Sequence, residues 1–306
     1  MMDAILVNTM KYLSTIWPSA IAAWLILLSW PAQGGEIAAL PLTWLERMGQ
    51  VGQRYRYEGV LVYRRADQIY TLRLTQRLGA DGQPMEQLQA LDGEMAQEVT
   101  LTERQVNCRL ARAHISQDRP GQRTLLWTGA GKDWARVERH YLLELGALER
   151  IAGREARVIR VVPKDSARYG QIFWLDQETA FPLRSDLLDA HHRLLSQWLF
   201  TALTLEPSPP AQPELQAAAA PEVAQYRLKL LQQEPLGFAV ILRQMNLAEA
   251  QRPVEHWLLS DGMARVSVYL EQASQPAQHW EGMATRPPVH AYGRNLGAYH
   301  LTVVGE

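Results

Sequence analysis

Residues 206–222 hold five of the chain's 17 prolines (Pro207, Pro209, Pro210, Pro213 and Pro221), together with the alanine run 217–220. Proline has a fixed φ and no amide donor, so this stretch disfavours both helix and central strand. It favours extended, semi-rigid backbone instead. At about 3.1 Å per residue it spans up to roughly 50 Å. It therefore acts as a linker between a larger domain, 36–205, and a smaller one, 223–306. The full length of 306 residues agrees with two folded units of roughly 100–200 residues each.

The first 35 residues have a different chemistry. They carry three of the ten tryptophans and only two charges, Asp3 and Lys11. The apolar run 21–30 leads into Pro31-Ala32-Gln33-Gly34, an h-region followed by small residues, which predicts a cleaved signal segment over 1–35. A membrane span needs about 20 apolar residues. Counting back to Tyr12, the apolar positions are interrupted by Ser14, Thr15, Pro18 and Ser19, so an uncleaved anchor is the other reading. Both place the remainder of the chain outside the cytoplasm.

Composition then removes several classes. Charge is balanced, 31 basic against 32 acidic residues, where a dedicated nucleic-acid binder shows a basic excess. A single cysteine, Cys108, excludes an intramolecular disulfide and a Cys-rich zinc module. Apolar residues at 47% and charged residues at 21% are globular usage, neither disordered nor fibrous.

The larger domain opens on a helix. Thr43-Trp44-Leu45-Glu46 fits a capping box, and Trp44, Leu45, Met48 and Val51 then share one helical face. Strands follow. Residues 57–64 are apolar on both faces, with Val60 and Val62 on one and Leu61 and Tyr63 on the other. Tyr70, Leu72, Leu74 and Leu78 alternate with Thr71, Arg73, Thr75 and Arg77, the period of a half-buried strand. Further strands are predicted at 85–91, 94–101, 105–110, 137–145, 155–162, 169–175, 183–188 and 193–203, the last two paired around Asp189-Ala190-His191-His192. Short turns without a βαβ rhythm imply one large antiparallel sheet. Ile172-Phe173-Trp174-Leu175 and Trp198-Leu199-Phe200 are apolar on both faces, as in a curved sheet that wraps helices or encloses an apolar cavity.

The smaller domain is also mostly β. Tyr226, Leu228 and Leu230 alternate with Arg227 and Lys229. Ser260-Asp261-Gly262 reads as a hairpin turn leading into 265–271, where Val266, Val268 and Leu270 face one way, and 299–304 form a last strand. The class is mainly β with helices (α+β).

Motifs for catalysis are missing. Gly129-Ala130-Gly131-Lys132-Asp133 has Leu126 and Asp133 where a P-loop needs Gly and Ser or Thr, so a tight turn explains it. His191-His192 sit in a turn, and His279, His290 and His300 fit no zincin spacing. Cys108, alternating with Val106 and Leu110, reads as a small packed residue. The expectation is no enzyme, no metal and no cofactor. One charge bias stands out: six arginines (54, 56, 64, 65, 73 and 77) against Glu58 and Asp67 between Val51 and Ala80, which reads either as a solvated strand surface or, more sharply, as a site for phosphate-bearing lipid or an acidic partner segment.

Several strings occur in an order that resembles the RseB/MucB family of periplasmic regulators of the sigma-E (AlgU) envelope-stress response. They are Trp44-Leu45-Glu46-Arg47, Tyr57-Glu58-Gly59-Val60-Leu61-Val62-Tyr63, Leu91-Asp92-Gly93 and Arg168-Tyr169-Gly170. Leu175-Asp176-Gln177-Glu178-Thr179-Ala180-Phe181-Pro182-Leu183, Pro235-Leu236-Gly237-Phe238 and Asp261-Gly262-Met263-Ala264-Arg265-Val266-Ser267-Val268-Tyr269 complete the series. The resemblance runs from about Leu42 to Glu306. It departs at the long, Trp-rich leader and at Gly305-Glu306, where relatives continue for some residues.

The resemblance implies a large antiparallel, unclosed β-barrel domain like the lipoprotein carriers LolA and LolB, plus a smaller β-rich C-terminal domain. It implies binding to the periplasmic domain of a membrane anti-sigma factor (RseA or MucA), shielding it from a DegS-type site-1 protease. It also implies that lipid or lipopolysaccharide binding releases that hold. On face patterning, Leu72, Leu74, Trp174, Trp198 and Phe200 are the lipid-pocket candidates. Arg65, Arg73 and Arg77 are the candidates for phosphate or partner groups. The competing reading is a soluble periplasmic lipid or lipoprotein carrier, which does not require a second domain. Nucleic acid is not an expected partner, and a homo-oligomer stays open.

Overall fold

The computed structural model describes residues 40–78, 84–92, 98–101, 105–110, 113–118, 134–208, 235–247, 253–272 and 280–305. The signal segment 1–35, the Gly129–Asp133 turn, linker residues 209–222, the Tyr226–Leu230 strand and His279 lie outside the described residues, as does the side chain of Cys108.

Helix α1 (Pro41–Arg54) buries Trp44, Leu45, Met48 and Val51, the face its apolar spacing predicts. Its start differs from the expected capping box. The N-cap is Leu40, which has no capping side chain, and Pro41 begins the helix. Thr43 instead donates its own amide to the Leu40 carbonyl (2.9 Å) from inside the first turn. Proline suits that position because its φ is already helical and its missing N–H would have no partner there.

The chain then runs through β1 (Tyr55–Arg65), β2 (Gln68–Leu78), β3 (Pro84–Ala90), β4 (Glu98–Leu101), β5 (Gln105–Leu110) and β6 (Ala113–Asp118). Helix α2 (Trp134–His140) precedes β7 (Tyr141–Ile151), β8 (Arg154–Pro163), β9 (Gly170–Asp176), β10 (Pro182–Leu188) and β11 (Leu194–Pro207). These strands form one antiparallel sheet in the order β6-β5-β4-β3-β2-β1-β11-β10-β9-β8-β7. Strands β1 and β11 meet in the middle and β6 and β7 form two separate edges, so the sheet is unclosed.

Three expectations need correction. Residues 137–140 are helical rather than strand. Trp134 and Val137 stand three apart, and Val137 is fully buried as the anchor of that short helix. Strand β6 is an element the sequence does not announce, its Ala-His-Ile-Ser-Gln-Asp run being short and weakly alternating. The last strand extends beyond 203: Glu206 and Pro207 pair with Arg56 and Tyr55, and the Ser208 amide donates to Arg54 (2.8 Å). The first linker residues therefore belong to the sheet.

Register assigns the faces, because directly opposed residues share one. Tyr63 faces Trp198, Leu61 faces Phe200 and Leu72, and Gly59 faces Leu74. Ser185 joins Trp198 to Phe173. This inner face carries an aromatic train, Tyr57–Phe181 at 5.0 Å, Phe181–Phe200 at 5.4 Å and Trp198–Phe200 at 6.0 Å, each edge-on. Gly59 permits it. A Cβ there would stand 2.7 Å from both the Phe200 ring and the Ala202 carbonyl. Helix α1 is tied to the same face through Gln76, whose amide donates to the Gly52 carbonyl (2.7 Å). The other face of β1 is less covered than its apolar residues suggest, Val60 and Val62 being half-buried.

A 3-10 turn at Pro235–Gly237 opens the second sheet: β12 (Ala239–Leu247), β13 (Pro253–Ser260), β14 (Arg265–Gln272), β15 (Gly282–Arg286), β16 (Val289–Leu296) and β17 (Tyr299–Gly305). Their order is β12-β13-β14-β17-β16-β15. Phe238, Trp257 and Leu259 form its core with Val240, Val266 and Val268. Among the described residues no helix is long and apolar enough to cross a membrane.

Candidate functional site

Four of the five apolar candidates share the inner face. Leu74 and Phe200 are fully buried, Trp198 nearly so, and Leu72 half-buried. Trp174 is buried too, but register turns it to the opposite face, beside Val158 and Arg184. There the Arg184 guanidinium lies 4.0 Å over its ring and its indole N–H donates to Glu149 Oε2 (2.8 Å). Arg184 is itself held bidentate by Asp186, at 2.8 and 2.6 Å.

Beneath the C-terminal end of α1 the inner face turns polar. The Tyr57 hydroxyl donates to Glu86 Oε1 (2.6 Å), both groups buried. Burial first, then the adjacent Glu86 carboxylate, keeps this phenol protonated far above its usual range. Gln76 joins the cluster through its bond to Gly52.

Arg73 and Arg77 lie on the outer face, where a depression of about 230 Å³ is lined by Glu58, Arg73, Thr75, Arg77, Gln87 and Gln89. Arg73 Nε stands 4.0 Å from Glu58, and Arg77 donates to Gln87 Oε1 (3.1 Å). Gln87 in turn donates to Glu98 (2.7 Å). Arg65 is elsewhere. It reaches the second sheet, donating from Nε to the Pro287 carbonyl (2.9 Å) and from Nη2 to the Arg286 carbonyl (2.6 Å). His191 and His192 occupy the β10–β11 turn, where Asp189 Oδ1 accepts from the amides of His191 (2.8 Å) and Arg193 (2.9 Å). Those backbone and Arg193 side-chain bonds lower the Asp189 pKa to about 2. Among the described residues no cluster of His, Cys, Asp and Glu is placed to hold a metal ion.

The strongest polar constellation joins the two sheets. Asp261, fully buried in the β13–β14 turn, accepts at Oδ2 from the Tyr141 hydroxyl (2.8 Å) and from Arg168 Nε (2.8 Å). Its Oδ1 accepts from the amides of Met263 (2.9 Å) and Ala264 (2.8 Å). Arg168, in the loop between β8 and β9, also binds Asp165 and the Leu236 carbonyl and lies 5.3 Å over the Phe238 ring. Burial, then the Asp261 charge, raises the Tyr141 pKa well above the normal phenol range. A second contact sets the Tyr169 hydroxyl 2.6 Å from His290 Nε2. Sequence reasoning places Asp261 in a turn but does not pair it with Arg168, 93 positions away. The only signal is that both lie in the strings carrying the family resemblance.

A long open antiparallel sheet joined to a smaller antiparallel sheet through a buried ion pair defines a class of two-sheet proteins. The profile of the MucB/RseB N-terminal domain matches residues 41–224, and that of the MucB/RseB C-terminal domain matches 222–306. The chain belongs to the MucB/RseB family. It is 30% identical over 295 residues to the sigma factor AlgU regulatory protein MucB of Pseudomonas aeruginosa, covering 89% of this chain and 90% of that one. It is 27% identical over 280 residues to the sigma-E factor regulatory protein RseB of Salmonella typhimurium, covering 86% and 85%. Among solved structures, the MucA/MucB complex of Pseudomonas aeruginosa aligns at 30% identity with a TM-score of 0.61, over 87% of this chain and 93% of that one.

Proposed function

We propose that this chain is a non-enzymatic periplasmic regulator that binds the periplasmic segment of a membrane anti-sigma factor of the RseA/MucA type. It shields that segment from regulated proteolysis and releases it when lipid or lipopolysaccharide binds. The observation that carries this reading is the family match across both sheets, together with the likeness to a relative solved in complex with MucA. A ligand releases a partner only by binding better to the state that holds the partner less well. The inner face, with Leu72, Leu74, Trp198 and Phe200, is the proposed acyl-chain site, and Trp174 belongs to the other face. Arg73 and Arg77 are the proposed contacts for phosphate or acidic partner groups, while two donors of Arg65 are already engaged by the second sheet. Segment 1–35 serves export, and the stretch from the end of β11 to 222 links the larger domain to the smaller one, 223–306.

The test is a pull-down of the cognate anti-sigma periplasmic segment, with and without added lipopolysaccharide. Capture at micromolar concentration and release by the lipid are expected. No capture at micromolar concentration removes the regulator reading and leaves a lipid carrier.

A further inference from the structure

His140 ends α2 at the junction of the sheets, and the Asp261 ion pair does not use its ring. The ring packs against the backbone of Gly237: a Cβ there would stand 2.3 Å from Cε1 and Nε2 of His140. Gly237 has a φ of +81° and its carbonyl accepts from Arg136 (3.0 Å). This contact is therefore part of what seats the 3-10 turn, and β12 behind it, on the first sheet.

The charges around this ring are uneven. Its own helix supplies Arg136, Glu138 and Arg139, and β7 adds the phenol of Tyr141. The loop after β8 supplies Lys164, whose amide donates to the His140 carbonyl (2.9 Å) and whose Nζ donates to the Glu138 carbonyl (2.7 Å). The same loop carries Asp165 and Arg168, and the β13–β14 turn carries Asp261. The four cations outnumber the three carboxylates, and Asp261 and Asp165 are already bound to Arg168.

We propose that this junction is an acid-sensitive joint: a proton on His140 adds a fifth cation beside Arg168 and loosens the second sheet from the first. Burial first, then Arg168, lowers the His140 pKa below the ordinary 6.5, with Asp261 and Asp165 opposing. Closure thus favours the neutral ring. Its contribution to closure is complete above about pH 6.5, the pKa once the ring is released. It is lost as pH falls from there through the lower pKa of the closed state. The inference goes beyond the proposed function and needs no partner.

Amide hydrogen exchange of the full chain, corrected for intrinsic pH dependence, tests it at pH 7.5 and 5.0. The wild type is expected to lose protection at 261–264 and 237–240 at pH 5.0, while a β9 peptide stays protected and reports an intact fold. His140→Gln is expected to keep protection at both pH values, and His140→Lys to lose it already at pH 7.5. His290→Gln tests the second titratable contact between the sheets and is expected to behave as wild type. An acid response that persists in His140→Gln, or disappears in His290→Gln instead, overturns the proposal. So does a wild type without any response. Because no anti-sigma segment is present, failure here is distinct from failure of the pull-down.

Discussion

Asp261 ties the β13–β14 turn of the second sheet to the first sheet. Four donors converge on its carboxylate, from Tyr141, Arg168, Met263 and Ala264, which is how a fully buried charge is tolerated. Asp261→Ala leaves the buried Arg168 without its main counter-charge and is expected to cost about 3–5 kcal/mol. Tyr141→Phe removes one donor of four and should cost about 1 kcal/mol. Urea denaturation followed by tryptophan fluorescence measures both. Equal, small losses would mean that the ion pair contributes little to holding the sheets together. The sequence shows the Ser260-Asp261-Gly262 turn but not this role, because a turn aspartate normally faces solvent and its partner here is remote in the chain.

Among the elements, those with a strong local period were legible. The buried face of α1 follows its spacing, and the β9 residues Phe173, Trp174 and Leu175 are all buried, as a strand apolar on both faces requires. Local competition decided the rest. Proline's fixed φ started α1 two residues before the threonine that looked like its cap, and a three-residue spacing made 137–140 helical. The β9–β10 turn shows an element held by one ionised group. Asp176 accepts from Arg154 Nε (2.6 Å), the Thr179 amide (2.9 Å) and the Thr179 hydroxyl (2.8 Å). Burial raises its pKa, but these bonds outweigh burial and hold it below the ordinary 3.8. A depressed carboxylate stabilises the fold above its unfolded pKa of about 3.9 and loses that contribution as pH falls from there through its lower folded pKa. Melting temperature measured from pH 6 to 3 should therefore drop more steeply below pH 4 in the wild type than in Asp176→Asn. The variant should start lower at pH 6, and parallel curves would rule out this carboxylate as the source.

At the scale of the whole molecule, the question is which face of the first sheet meets which partner. Alternation shows that a strand has two faces but not which residues of different strands share one. That depends on register, and a one-residue change moves a side chain across the sheet. For this reason Trp174 and Trp198 looked equivalent in the sequence and stand on opposite faces in the fold. Arg73 and Arg77 project from the outer face, away from the inner apolar residues. A ligand with both acyl chains and phosphates would therefore have to use two faces, unless the arginines serve the acidic partner segment alone. Arg73→Glu combined with Arg77→Glu separates these cases without touching the core. If the arginines bind the partner, affinity for the anti-sigma segment falls while binding to lipopolysaccharide is unchanged. If they bind phosphate, the losses reverse. Either loss should shrink as salt rises, since exposed charges are screened over about 8 Å at physiological ionic strength. Calorimetric titration of both ligands at low and high salt reads the outcome. Unchanged affinity for both at low salt would remove the two arginines from the site and leave binding to the inner face and the second sheet.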